Sequence, residues 1–292
     1  MRSRLIVISL AVSILLAGCI GGQEGQQQKD SQSKSQRGII IEDLSISNTD
    51  LEPGEQSRIT VTFQNTNSED VEDLLARMVN TGQLEVSGEV ECRQERMRAS
   101  EGPSQGQRKR CTWTLECADR CTDISRKSTE KFTVEPSVVW TYSNRVTESE
   151  NSISIEFQSP ADFRSDEVEK NSYTAENGDI SLSSEYSTPQ STGSASIVLS
   201  QTLTNKGNGR LVSPVDLEYR GSLVSEEAVD LSSFANCRKL AVPEGEASQE
   251  AECGLKLLNP EPETVYKLRI AGRYKYRKSK KVNLEIVPTQ VQ

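Results

Sequence analysis

The sequence predicts an all-β protein with two successive antiparallel β-sandwiches behind an N-terminal export signal. From Gly38 onward, apolar and polar residues alternate in short runs rich in Val, Ile, Thr and Tyr, the pattern of half-buried strands. Aromatic residues make up only 5% of the chain, which suits small sandwiches better than one large core. Six cysteines follow the export signal in closely spaced pairs. Residues 70–79 are the best candidate for a short helix.

Residues 1–18 have the features of a lipoprotein signal peptide. Two arginines stand near the start, an apolar stretch of about a dozen residues follows, and small residues lead into Cys19. The apolar stretch is shorter than the roughly 20 residues that a membrane-spanning helix needs. We therefore expect cleavage before Cys19 and a lipid on its thiol. An uncleaved anchor and an ordinary signal peptide with an incidental cysteine are the alternatives.

The lipidated segment 19–37 is predicted to be a disordered tether. Residues 23–37 contain no apolar side chain, so this segment cannot bury enough surface to offset the entropy lost on ordering. The tether would hold the folded part away from the outer face of the cytoplasmic membrane.

Two runs of residues in the first half of the chain recur, in the same order, in the second half. The pattern of 59–65 recurs 140 residues later, and the pattern of 132–142 recurs 134 residues later. Two runs with constant offsets indicate a duplicated domain. We predict a first β-sandwich domain at 38–158 and a second at 179–292, with the hydrophilic segment 159–178 as the linker.

The cysteines of the two halves predict disulfide bonds within each half. In both halves, a cysteine followed by arginine precedes another cysteine that opens an alternating strand, and the first half has two further cysteines in an insertion. Exported thiols usually oxidise, although the four cysteines of the first half would also suit a zinc site. The predicted pairs are Cys92–Cys111, Cys117–Cys121 and Cys237–Cys253.

Two short segments carry a resemblance to a known family. Leu51-Glu52-Pro53-Gly54-Glu55 leads to Phe63-Gln64-Asn65-Thr66-Asn67, and Leu203-Thr204-Asn205-Lys206-Gly207 repeats the second motif. They resemble the tandem immunoglobulin-like modules of archaeal surface proteins, in particular the CARDB-like family of cell-adhesion-related sandwiches. The sequence Cys19-Ile20-Gly21-Gly22 is similar to archaeal lipoproteins. The resemblance implies an immunoglobulin-like fold and a surface location, and it implies no particular partner.

Catalytic and metal-binding residues are not predicted. The chain has no histidine, which removes the commonest general base and transition-metal ligand. The Ser-X-X-Lys pattern at 128–131 lacks companion motifs, and the acidic run 69–73 lacks the ligand spacing of a calcium loop. The net charge of −9 disfavours nucleic-acid binding. We therefore expect neither an enzyme nor a bound cofactor.

A basic run from 266 to 281 is the strongest local charge feature. On a strand, five of its cations fall on one face while tyrosines and aliphatic residues fall on the other. This face would contact anionic lipid headgroups or surface polymers, or it is simply a solvated sheet face or a charged edge that blocks aggregation. The five cations of this basic stripe are Lys267, Arg269, Arg273, Lys275 and Arg277.

These features together predict a lipid-anchored extracytoplasmic protein with a non-enzymatic role in binding, adhesion or envelope structure. Its expected partners are the membrane, through the lipid on Cys19, and a protein or an envelope polymer. The alternative is an accessory lipoprotein subunit of an exported enzyme or transporter.

Overall fold

A computed structural model describes residues 38–99, 106–128, 130–147, 153–193, 196–221, 238–256 and 260–288. The signal peptide, the tether, Cys19 and Cys237 lie outside these residues. Over the described ranges, none of the helices has the length and apolar character needed to cross a membrane.

The described residues form β-strands with one α-helix and one 3-10 helix, Ser165–Glu167. The elements of the first half are β1 (Ile39–Ile46), β2 (Asp50–Leu51), β3 (Gln56–Asn65), β4 (Val71–Val79), β5 (Glu85–Ser87), β6 (Glu91–Met97), β7 (Arg108–Glu116), α1 (Asp119–Lys127), β8 (Phe132–Val134), β9 (Ser137–Thr147) and β10 (Ile153–Gln158). Those of the second half are β11 (Glu169–Glu176), β12 (Ile180–Thr188), β13 (Gln190–Ser191), β14 (Ser196–Asn205), β15 (Arg210–Leu211), β16 (Val215–Gly221), β17 (Lys239–Leu240), β18 (Ser248–Lys256), β19 (Thr264–Lys281) and β20 (Leu284–Ile286).

The strands build two outer sheets, one central sheet and a small fourth sheet with the order β2-β20-β8. The outer sheets have the orders β1-β3-β7-β5 and β11-β12-β14-β18. The central sheet runs β13-β10-β19-β9-β4-β6, with β15 and β16 also paired to β19 and β17 paired to β16. Phe63 on β3 packs against Trp140 on β9, with ring centroids 5.4 Å apart, and Tyr219 on β16 donates to Gln201 on β14 at 3.0 Å. The predicted β-sandwich architecture is confirmed.

The registers show the duplication that the sequence predicts. Gln64 pairs with Arg108 between β3 and β7, and Thr204 pairs with Ser248 between β14 and β18, so both partners shift by 140. Asn65 Nδ2 donates to a backbone carbonyl four residues later at 3.0 Å. Asn205 makes the same contact at 2.9 Å, so the turn after β3 recurs after β14.

The two halves exchange their last strands. Strand β10 of the first half pairs with β19, placing Ile153 opposite Leu268. Strand β20 of the second half pairs with β8, placing Leu284 opposite Val134. Val134 and Leu268 are equivalent residues of the repeat, so the two exchanged strands pair at equivalent places in the two halves.

The centre of this exchange lies between β9 and β19. Eleven residues of each strand pair antiparallel, with Tyr142 opposite Tyr276. These tyrosines are equivalent residues of the repeat, so a local two-fold axis passes between them. The β9–β19 pairing joins the two sandwiches into one central sheet, and the described residues from 38 to 288 form one compact unit.

Two sequence predictions need correction. Residues 71–79 form strand β4 instead of a helix, because pairing with β6 and β9 buries Val71, Leu74, Ala76 and Met78. The second half of the predicted linker 159–178 belongs to the fold, since the whole of β11 pairs with β12 from Glu176↔Ser181 to Glu169↔Thr188. Ala175 of β11 is buried in the core, which the hydrophilic composition of the segment conceals.

Candidate functional site

The basic stripe lies on the open face of the central sheet. Strand β19 alternates as predicted, so that Lys267, Arg269, Arg273 and Lys275 are exposed and Arg277 is half-buried. The residues between them turn inward, and Leu268, Ile270, Tyr274 and Tyr276 are buried. The strand therefore presents a line of cations over an apolar core.

Two neighbouring strands add arginines to this face. Glu218 on β16 contacts Arg220 at 2.9 Å, Arg273 at 3.2 Å and Arg145 on β9 at 3.3 Å. Three guanidinium groups thus share one carboxylate, which leaves the group with an excess of positive charge. We call these three residues around Glu218 the arginine cluster. Sequence reasoning missed Arg145 and Arg220, because strand pairing alone brings them beside the stripe.

A cleft of about 740 Å³ opens beside the arginine cluster. Carboxylates of the acidic run 69–73 line it together with Arg145, Arg273 and Lys275. Asp70 accepts hydrogen bonds from the Ala99 backbone N–H and from Arg96 Nε, both at 2.6 Å. The backbone hydrogen bond from Ala99, followed by that from Arg96, lowers the pKa of Asp70.

The sequence of the acidic run 69–73 can be compared with that of a calcium loop. In the part of the chain that the structure describes, no three His, Cys, Asp or Glu side chains come together in a way that could hold a metal ion. The acidic run is instead shaped by a β-bulge between Glu72 and Leu75 and by the positive φ of 54° at Asp73.

A buried ion pair lies where the two halves meet. Lys278 Nζ is 2.9 Å from Asp179 Oδ1, and the two side chains are 6% and 0% exposed. Tyr142 Oη donates to Asp179 Oδ2 at 2.6 Å. Burial raises the pKa of Asp179, and burial together with the Asp179 charge raises that of Tyr142.

Lys278 belongs to the basic run 266–281, but its side chain is buried. It is in phase with Tyr274 and Tyr276 on β19, so the alternation that predicts the exposed stripe also places Lys278 in the core. The alternation along β19 is therefore the sequence signal that identifies Lys278 as a buried residue. Asp179 carries no comparable signal, because it stands in the tight turn between β11 and β12.

The Ser-X-X-Lys pattern at 128–131 does not form a catalytic pair. Ser128 Oγ donates to the Glu130 backbone carbonyl at 2.6 Å. Lys131 Nζ instead contacts Asp50 at 2.6 Å and Glu285 at 3.2 Å. Those two contacts raise the pKa of Lys131, the reverse of what a general base requires.

Two of the three predicted disulfides are confirmed. Cys92–Cys111 joins β6 to β7 and so links the central sheet to an outer sheet, and Cys117–Cys121 holds the start of α1. The zinc alternative for these four cysteines is wrong. Cys253 is buried on β18, and its predicted partner Cys237 lies outside the described residues.

No protein-family model matches the chain, and no curated protein sequence is similar to it. Among solved structures, the chain is similar to the collagen adhesin (CNA) from S. aureus, with 9% sequence identity and a TM-score of 0.17. That alignment covers 87% of this chain and 94% of the adhesin chain. A TM-score of this size carries no argument, so fold and site rest on the strands and contacts described above.

Proposed function

We propose that this protein is a lipid-anchored, non-enzymatic protein of the outer face of the cytoplasmic membrane, which binds an anionic surface polymer through the open face of its central sheet. The observation that carries the proposal is the arginine cluster, in which three guanidinium groups share the single carboxylate of Glu218. The exposed cations of β19 extend this positive surface along the strand.

Charge distribution supports a polymeric anion as the partner. The whole chain carries a net charge of −9, so a compact positive face on it is a local feature that steers an extended anion to one side. The stripe follows the length of β19, and a linear polymer with repeated anionic groups could contact several of its cations at once. Guanidinium groups suit such a partner because they bind carboxylate and phosphate groups in a bidentate manner.

The anchoring proposal rests on the sequence around Cys19. A protein carrying a lipid on this residue, with the predicted tether before β1, would present the sheet face at a distance from the lipid surface. Conversion of Cys19 to Ser should release the protein from washed membranes, and it should remove the lipid mass from the N-terminal peptide. Retention of the Cys19→Ser protein in the membrane would contradict lipid anchoring. The family resemblance to CARDB-like modules is compatible with this role and stays a proposal.

Binding to immobilised dextran sulfate tests the ligand proposal. A double variant, Arg273→Ala with Lys275→Ala, should weaken binding about three- to tenfold, because two exposed charge contacts are worth about 0.3–0.7 kcal/mol each. Binding of the unaltered chain should also weaken as salt is raised, because salt screens exposed charges. Both residues are exposed, so the substitutions leave the core unchanged.

A matched double variant controls for the loss of total charge. Arg58 on β3 and Lys170 on β11 are also exposed cations, and both lie on outer sheets. Arg58→Ala with Lys170→Ala changes the net charge equally and should leave dextran sulfate binding close to that of the unaltered chain. Equal losses in both double variants would refute a specific face. Binding to vesicles of anionic lipid without binding to dextran sulfate would point to the membrane surface instead.

A further inference from the structure

A tyrosine hydroxyl, two aromatic rings and a backbone carbonyl surround the buried pair Asp179–Lys278. Tyr142 Oη holds one carboxylate oxygen at 2.6 Å, and Lys278 Nζ lies 2.9 Å from the other oxygen. The amine lies 5.8 Å from the Tyr142 ring centroid and 5.6 Å from that of Tyr276. It also donates to the Ile39 carbonyl at 3.5 Å. The amine and the carboxyl group are therefore kept together in a site without solvent access.

The backbone of the first half closes this site. Gly38 has φ of +107°, and a Cβ there would lie 2.6 Å from Asp179 Oδ1 and 2.8 Å from Lys278 Nζ. Only a residue without a side chain fits so close to the pair. Gly38 is itself fixed, because its carbonyl accepts hydrogen bonds from Thr66 N and Thr66 Oγ1, both at 2.9 Å.

Burial makes the charged form of this pair unfavourable. Removing an ammonium and a carboxylate from water costs several kcal/mol for each ion, and their attraction only partly repays that cost. Transfer of one proton from the amine to the carboxyl group gives a neutral amine and a neutral acid, which avoids the cost. Lys278 Nζ lies 2.9 Å from Asp179 Oδ1, so the two groups are close enough to exchange this proton directly.

We propose that Lys278 and Asp179 condense into an intramolecular amide that links β19 to the turn before β12. After the proton transfer, the neutral Nζ attacks Asp179 Cγ and a new N–C bond forms. The bond from Cγ to Oδ1 breaks, and Oδ1 leaves as water with the transferred proton and one proton from the attacking nitrogen. No atom is oxidised or reduced, and no co-reactant is needed. The amide keeps one N–H, which lies within reach of the Ile39 carbonyl.

Tyr142 is placed to assist this step. Its hydroxyl donates to Oδ2, the oxygen that gains negative charge while the nitrogen attacks and that becomes the amide carbonyl. A hydrogen-bond donor aimed at a developing oxyanion stabilises the transition state. The fixed proximity of the two reacting groups also speeds amide formation, because well-oriented intramolecular partners have effective molarities of about 10⁵ M or more. The dry site also opposes the reverse hydrolysis.

Peptide mass spectrometry of the full-length protein tests the proposal without any variant. Trypsin cannot cleave after a lysine whose side chain is an amide. The digest should therefore contain a branched peptide in which residues 171–206 are attached to residues 278–280, with a mass lower by one water than the sum of the two. Fragmentation should place the branch at Asp179 and Lys278. Separate peptides 171–206 and 279–280, with cleavage after Lys278, would overturn the proposal.

Variants separate the amide from other causes of incomplete digestion. Lys278→Met and Asp179→Ala should both abolish the branched peptide, whereas Lys281→Gln, a change at an exposed lysine of the same strand, should retain it. Tyr142→Phe should slow formation in freshly refolded protein, with the branched peptide accumulating more slowly than in the unaltered chain. Formation at an unchanged rate would remove Tyr142 from the step.

Discussion

Substitution of Leu284 tests the strand exchange between the two halves. Leu284 lies on β20, has no exposed surface and pairs with Val134 on β8. Truncation of a buried leucine to alanine costs about 2–5 kcal/mol. We therefore expect Leu284→Ala to lower the free energy of unfolding by that amount, and we expect the local loosening to appear in the first half, far away in sequence.

Hydrogen exchange under native conditions shows where the loosening occurs. Amide protons of β8 and of β2 should exchange faster in Leu284→Ala, because β20 is the strand that pairs with both. The matched variant Ile153→Ala removes an equally buried side chain from β10, and it should loosen residues 264–268 of β19 instead. Urea denaturation of both variants gives the two costs in the same units.

The strand exchange is contradicted if each substitution speeds amide exchange in the half of the chain that carries it. Faster exchange of the second-half strands in Leu284→Ala, with β8 and β2 unchanged, would mean that β20 stays with its own sandwich. Equal loosening throughout the chain in both variants would also contradict a local exchange, because only global destabilisation would then be present. We expect each substitution to speed amide exchange in the opposite half, across the local two-fold axis from the strand that carries it.

Two further predictions concern covalent and polar contacts. Replacing both cysteines of Cys92–Cys111 by alanine should lower the free energy of unfolding by about 3 kcal/mol, and replacing those of Cys117–Cys121 should lower it by about 2 kcal/mol. The costs differ because the entropy gained by the unfolded chain grows with loop length, and the two separations are 19 and 4 residues. Urea denaturation measures both costs. Tyr276→Phe should cost about 1–3 kcal/mol, because Tyr276 Oη donates to Asn205 Oδ1 at 2.6 Å. The same change at half-buried Tyr186 should cost less than about 0.5 kcal/mol, and equal costs would argue against the Asn205 contact.

Local periodicity accounts for the features that the sequence predicts well. The alternation in β19 predicts which cations are exposed, and the constant offsets predict equivalent strands such as β3 and β14. The spacing of cysteines within one half predicts the two described disulfides. Each of these inferences uses residues that are close in sequence or related by a fixed shift, so no knowledge of the tertiary arrangement is needed.

The relation between the halves is not encoded in that local pattern. Strand β10 has the same alternation whether it pairs with β9 or with β19, so its partner cannot be predicted from its residues. The arginine cluster depends on the pairing of β16 and β9 on either side of β19. Asp179 meets Lys278 only because the local two-fold axis brings the start of β1, the turn before β12 and the end of β19 together.

The pH dependence of stability distinguishes the buried ion pair from the amide. Burial raises the pKa of a free Asp179 above that of the unfolded chain. Such a group stabilises the fold fully below the unfolded pKa of about 3.9, and that contribution is lost as pH rises through the folded pKa. Lys278→Met leaves a free, buried Asp179, so its stability should fall relative to the unaltered chain as pH rises from about 4, by at most about 1.4 kcal/mol per pH unit.

An amide has no titrating carboxyl group, so the linked chain should lack this loss. Exposed carboxylates whose pKa is lowered, such as Glu42 beside Arg108, lose their contribution as pH falls, but they are present in both proteins. The difference between the two stability curves therefore reports Asp179 alone. Urea denaturation at intervals between about pH 4 and 7 measures it. Parallel curves for the unaltered chain and the double variant Asp179→Ala with Lys278→Met, and a steeper fall for Lys278→Met alone, are expected if the carboxyl group of Asp179 is no longer free.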